Sequence, residues 1–289
     1  MGDCQILPVS RIFPIALAAS LLTCPPLVFS QDEGPAEPPA IPADLLDDPH
    51  VREELAINEF TAPSIARIFD SLESLAPLPM ADYTRETPER MPLNRADLAV
   101  ELGFLIADGF LIVQVGELGK VEGLASQLTR YAKALGAGER VNRHAASLLE
   151  SAKNQEVLQL KKELAATQKD VELELVTLRD ADLAHLISLG GWIRALQVAS
   201  GAVDKQFSEE RGREVMREDI ADYYASIVGS LEPRIAERAN YVEMRNLLSG
   251  MRNEMLLKEG EAPTPKRIAG IKEQANKLTE LALKREETP

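Results

Sequence analysis

The chain has 289 residues, 46 acidic against 32 basic, for a formal net charge of −14. An acid excess of this size repels nucleic-acid backbones and anionic headgroups, so no nucleic-acid partner is expected. Aromatic residues make up only 4% of the chain, so a core must rest on Leu, Ile, Val and Ala, as it does where helices approach closely.

Residues 1–30 read as a signal peptide. Arg11 precedes an apolar stretch from Ile12 to Thr23, Pro25 and Pro26 follow, and Val28-Phe29-Ser30 resembles a cleavage site before Gln31. The expected location is exported, periplasmic or cell envelope. The alternative is a lipoprotein anchored through Cys24, because Leu21-Leu22-Thr23-Cys24 approximates a lipobox. The apolar run is short and ends at prolines, so no integral membrane span is expected after signal removal. Both cysteines, Cys4 and Cys24, lie in this segment. The remainder therefore offers no disulfide, thiol nucleophile or thiolate metal site. Loss of the segment removes one acid, Asp3, and one base, Arg11, and leaves the net charge unchanged.

Residues 31–60 read as a Pro-rich acidic tether, with Pro35, Pro38, Pro39, Pro42 and Pro49 among acids. Residues 61–93 read as a short helix plus an irregular arm. The helix runs from about 62 to 76 with Thr61 as N-cap and Pro63 in its first turn. Pro77, Pro79, Pro88 and Pro92 mark the arm. Fourteen of the eighteen prolines lie at or before Pro92, and none lies between Pro92 and Pro233. Proline inside a helix costs about 3 kcal/mol, so a proline-free run rich in Ala, Leu, Glu, Lys and Gln predicts long helices.

Residues 94–289 are expected to form one helical bundle domain, with Asn94 as the first N-cap. Helices are expected at about 95–135, 139–153, 155–204, 209–229, 231–259 and 265–285. Gly136-Ala137-Gly138 and Gly229-Ser230 read as turns, Gly260 to Pro263 as a linker, and Thr264-Pro265 as a cap with a proline at the first helical position. No stretch alternates with a period of two, so no sheet is predicted. The predicted fold class is all-α, an elongated antiparallel helical bundle with long, coiled-coil-like helices.

Two stripes carry the packing expectation. Gly109, Gly116 and Gly123 are spaced by seven, and each helical glycine costs about 1 kcal/mol relative to alanine. Close approach of a second helix would offset that cost, and Ala184, Ser188, Gly191, Ala195, Ala199 and Ala202 supply a matching small-residue face. The competing reading makes Gly116-Glu117-Leu118-Gly119 a turn. The second stripe is a seam from Val157 through Lys161, Leu164, Gln168, Val171, Leu175, Leu178, Asp182, His185, Leu189, Trp192 and Leu196 to Val203.

Polar residues on these faces are the candidate ligand-binding residues. Asp182 and His185 sit three apart on one face, so a carboxylate could orient the imidazole or join it in holding a metal. Trp192 lies two turns on, followed by Arg194, a combination suited to an anionic or aromatic ligand. Asp97, Glu101 and Asp108 project from the apolar helix Leu98–Val115 within a narrow arc. Buried carboxylates need partners, and Lys120, Arg130, Arg143 and Arg194 are available. The structural readings of both clusters are a polar layer that fixes helix register and an internal ion-pair network. Tyr223-Tyr224 reads as helix packing.

Catalytic motifs are missing. The three histidines, His50, His144 and His185, form no H-E-x-x-H, and the lone D-x-x-H at Asp182–His185 falls short of a di-iron pattern. There is no C-x-x-C-H, G-x-S-x-G, P-loop or dinucleotide fingerprint. No catalytic or metal-binding residue is assigned, and the sequence points to no particular cofactor. It favours a non-enzymatic cell-envelope scaffold or protein-interaction module that binds a protein partner or a second copy. The alternative is a small-ligand or metal-binding helical protein, possibly an enzyme, that uses Glu101, Asp108, Asp182, His185, Trp192 and Arg194.

Overall fold

The computed structural model describes residues 65–85 and 90–284, all within one compact unit. The expected signal segment, tether and cap at Thr61 lie outside the described residues. Every regular element among the described residues is helical. In chain order they are α1 (Ile65–Glu73), α2 (Met80–Tyr83), α3 (Arg95–Gln114), α4 (Val121–Leu135), α5 (Gly138–Lys153) and α6 (Val157–Thr177). Then follow α7 (Ala181–Lys205), α8 (Glu209–Arg213), α9 (Glu218–Ser230), α10 (Pro233–Ala236), α11 (Ala239–Met255) and α12 (Pro265–Ala282).

The all-α class follows from the local signals. Asn94 caps α3 by accepting from the Ala96 amide at 2.8 Å, and Thr264 caps α12 by accepting from the Arg267 amide, with Pro265 at the first position. Gly136 ends α4 in the left-handed conformation at φ 96°.

Helices α3 and α7 form the centre. Ala96 to Ala107 of α3 and Leu183 to Leu196 of α7 are buried without a break, as expected of helices that are apolar on all sides. Among the described residues α7 alone has the length and apolarity of a membrane span, and 94% of that window is buried inside the protein. Their mutual contact is the most extensive in the molecule, and α1, α6 and α12 also pack on α7. Helix α1 is part of this core, since Ile65, Phe69 and Leu72 are buried and Phe69 stacks on Phe110 with centroids 5.1 Å apart.

Two of the predicted long helices are interrupted. The 95–135 segment breaks after Gln114, where Gly116 adopts φ 77° and Leu118–Lys120 forms a single 3-10 turn. The turn reading of Gly116–Gly119 is the one observed. The 155–204 segment breaks at Leu178-Arg179-Asp180, with Arg179 at φ 60°. No single helix therefore carries the seam: Val157 and Leu178 are exposed, while Leu164, Val171, Leu175, Leu189 and Val203 are buried. The 209–229 and 231–259 segments each divide as well. Gly229-Ser230 stays helical, and the chain turns at Leu231-Glu232 before Pro233.

The glycine stripe packs differently from expectation. A methyl group at Gly116 or Gly123 would meet nothing within 4 Å, and one at Gly109 would press on the side chains of Leu124 and Leu164. The close approach of α3 and α7 is made by Gly103 and Gly190 instead. A methyl group at Gly103 would overlap the Ile187 carbonyl and come within 2.8 Å of the Gly191 nitrogen, and one at Gly190 would overlap the Val100 carbonyl. Of the small-residue face expected on α7, a methyl group at Gly191 would press on Ile65 of α1, while Ile187 and Gly190, which make the close approach to α3, lie outside that face.

Candidate functional site

Among the described residues, Asp108 is the hub of a cluster of interior ion pairs. Arg85 donates from Nε and Nη2 to Asp108 Oδ2 at 3.0 and 2.9 Å. Arg194 donates from Nε to Asp108 Oδ1 at 2.7 Å. Glu101, two turns before Asp108 on the same face of α3, is 1% exposed, and its Oε1 lies 3.8 Å from Arg85 Nη1. The Arg85 guanidinium also sits 5.4 Å from the Phe104 ring centroid. Two carboxylates and two guanidiniums thus balance in charge, and that balance is what lets Arg194 be 97% buried at tolerable cost.

Arg194 extends the cluster outward. Its Nη2 donates to the Tyr83 carbonyl, and Nη1 donates to Gln197 Oε1 at 2.7 Å. Gln197 Nε2 in turn donates to Asn276 Oδ1 at 3.1 Å. These groups, with Lys272, line an open pocket of about 460 Å³ between the segment after α2, α7 and α12. Lys272 Nζ donates to Asp204 at 2.7 Å, a bond that holds its ammonium above the usual range despite burial. Burial pushes the Tyr83 phenol up, opposed by the Lys272 charge and reinforced by Asp82.

The remaining predicted residues gather elsewhere. Asp182 Oδ2 accepts from the Glu232 amide at 2.8 Å, at the turn into α10. His185 Nδ1 lies 3.3 Å from the Tyr223 hydroxyl, and Trp192 packs on Tyr224 with centroids 5.3 Å apart. Burial, then the neighbouring Tyr223 and Glu172, push the Tyr224 phenol well above its usual value, so it stays neutral. At 1.5 Å per residue, Asp182 and Arg194 are about 18 Å apart along α7. Glu101, Asp108 and Arg194 therefore meet in one cluster, while Asp182, His185 and Trp192 face α9 and the turn beyond it.

Two further polar arrangements involve partners that sequence reasoning missed. Asp97 is held bidentately by Arg238, at 2.8 Å to each oxygen, with the Tyr241 hydroxyl 3.3 Å away. The imidazole of His144 bridges two carboxylates of α6, with Nδ1 2.8 Å from Glu163 and Nε2 3.1 Å from Asp170. A neutral imidazole carries one N–H, so the imidazolium is the form that donates to both. The two carboxylates lie on opposite ring edges and do not converge. Among the described residues no group of three or more His, Cys, Asp or Glu side chains is placed to hold a metal ion.

The partners Arg85 and Arg238 lie 23 and 141 residues from the acids they bind, so spacing gave no signal for them. Gln197 was legible, three residues after Arg194 on an otherwise apolar helix. No family model, curated protein or solved structure matches this chain.

Proposed function

We propose that this protein is an exported, non-catalytic helical scaffold or interaction module of the cell envelope, working with a protein partner or a second copy of itself. The observation that carries the reading is where the interior polar side chains go. Asp97, Asp108, Asp182, His185 and Arg194 each pair with a group of the protein itself and tie one helix or turn to another. Catalytic sites instead leave a base, a nucleophile or a charge poised toward a substrate.

The export segment supports the location, and the excess of acids supports solubility outside the cytoplasm without attraction to nucleic acid. Apolar side chains on the surface supply contact area for a partner, with Leu158 76% and Leu256 47% exposed. Fractionation of the producing cells followed by intact mass tests the location. The expected mass is that of a chain beginning at Gln31, found outside the cytoplasm. A cytoplasmic chain that retains Met1 to Ser30 would overturn it, and a lipid-modified Cys24 would replace cleavage after Ser30 with a lipoprotein anchor.

A further inference from the structure

We propose that the pocket between the segment after α2, α7 and α12 binds the oxyanion head of a small organic anion, a phosphate ester or a carboxylate. The argument starts from the polarity of the Arg194 relay. Guanidinium is a donor only, so Gln197 must turn Oε1 toward Arg194 and Nε2 away from it. That amide nitrogen then faces Asn276, which must answer with Oδ1. The orientation of both amides is fixed by chemistry, and the relay ends on the two-proton donor Nδ2 of Asn276 in the pocket wall.

One helical turn before Asn276, on the same face of α12, stands the Lys272 ammonium, about one-third exposed. The acids nearby are already engaged. Asp204 accepts from Lys272, Asp82 pairs with Lys205, and Asp108 is shared by Arg85 and Arg194. What the pocket offers a ligand is thus an amide donor and an ammonium shared with Asp204, in a lining whose charges are balanced by their partners. A chain of hydrogen bonds that starts from the Arg194 donor, itself paired with Asp108, polarises toward its far end and favours the last donor. A volume of about 460 Å³ exceeds what a bare oxyanion fills, so the geometry fits an oxyanion carrying a small organic body. This inference is independent of the scaffold reading, which needs no small ligand.

Calorimetric titration of the full chain with inorganic phosphate, phenyl phosphate and benzoate tests it. The expected result is saturable one-site binding by phenyl phosphate or benzoate, tighter than by inorganic phosphate and weakened by added salt. Preference for phenyl phosphate names a phosphate ester, and preference for benzoate a carboxylate. Asn276→Asp keeps the acceptor for Gln197 but replaces the terminal donor with a negative charge, and should weaken binding at least about tenfold. Lys272→Met, at the partly exposed ammonium, should do the same and serves if Asn276→Asp fails to fold by circular dichroism. Absence of saturation by all three probes, or binding unchanged in both variants, would overturn the proposal.

Discussion

At the scale of single residues, two glycines of similar appearance in the sequence play opposite parts. Gly103 lies where α3 and α7 touch backbone to backbone, and Gly123 lies on α4 with open space around it. Gly103→Ala should lower the melting temperature, because overpacking against rigid backbone typically costs about 1–3 kcal/mol. Gly123→Ala should raise it by up to about 1 kcal/mol in stability through helix propensity alone. Thermal melts of the two variants check both signs. Gly116 is a third case. Its φ of 77° strains any L side chain, so Gly116→Leu would destabilise through the backbone although nothing lies near it. Seven-residue spacing alone could not separate these roles, since it reports which face a residue shares and not what stands opposite.

Glu163 gives the molecule a pH dependence with a definite sign. Burial raises its carboxyl pKa, but hydrogen bonds from His144, Ser147 and Gln159, with the charge of His144, outweigh burial and hold it below its usual value. A depressed folded-state pKa contributes stability that is fully present above the unfolded value of about 4.3 and is lost as pH falls through the folded value. Glu163→Gln should cost about 1 kcal/mol at pH 7. Denaturant titrations at pH 7 and in the acid range check this, and the gap between variant and parent should narrow as pH falls below the unfolded value of about 4.3.

At the scale of elements, the interior ion pairs act as ties between helices far apart in the chain. One joins Asp97 in the first turn of α3 to Arg238, which sits just before α11. Carboxylates are favourable in the first turn of a helix, and this one also takes a bidentate guanidinium. Asp97→Ala should cost about 3 kcal/mol, because it breaks a largely buried, bidentate ion pair. Urea unfolding checks the loss, and Asp97→Glu should recover part of it. The acids of this network were legible from the sequence as carboxylates on an apolar helix that required partners. Their partners were not, because Arg85 lies in a proline-marked arm that reads as irregular and Arg238 in a turn between helices. Helix breaks divided along the same line. The Gly136 stop was visible as a glycine, whereas the stop at Arg179 uses a non-glycine residue in the left-handed region and carries no such mark.

At the scale of the whole molecule, composition led directly to the all-α class. The absence of two-residue alternation and the scarcity of aromatics argue against a pleated half-buried surface, and the proline-free run rich in Ala, Leu, Glu, Lys and Gln suits long helices. Function was less legible, because the side chains that looked chemically ready prove to be engaged with the protein itself. That engagement underlies the proposed scaffold role, and native mass spectrometry of the protein isolated from its producing cells tests it most directly. The account predicts the mature chain in complex with a protein partner or a second copy. A solitary chain carrying a stoichiometric metal ion or redox cofactor would contradict it.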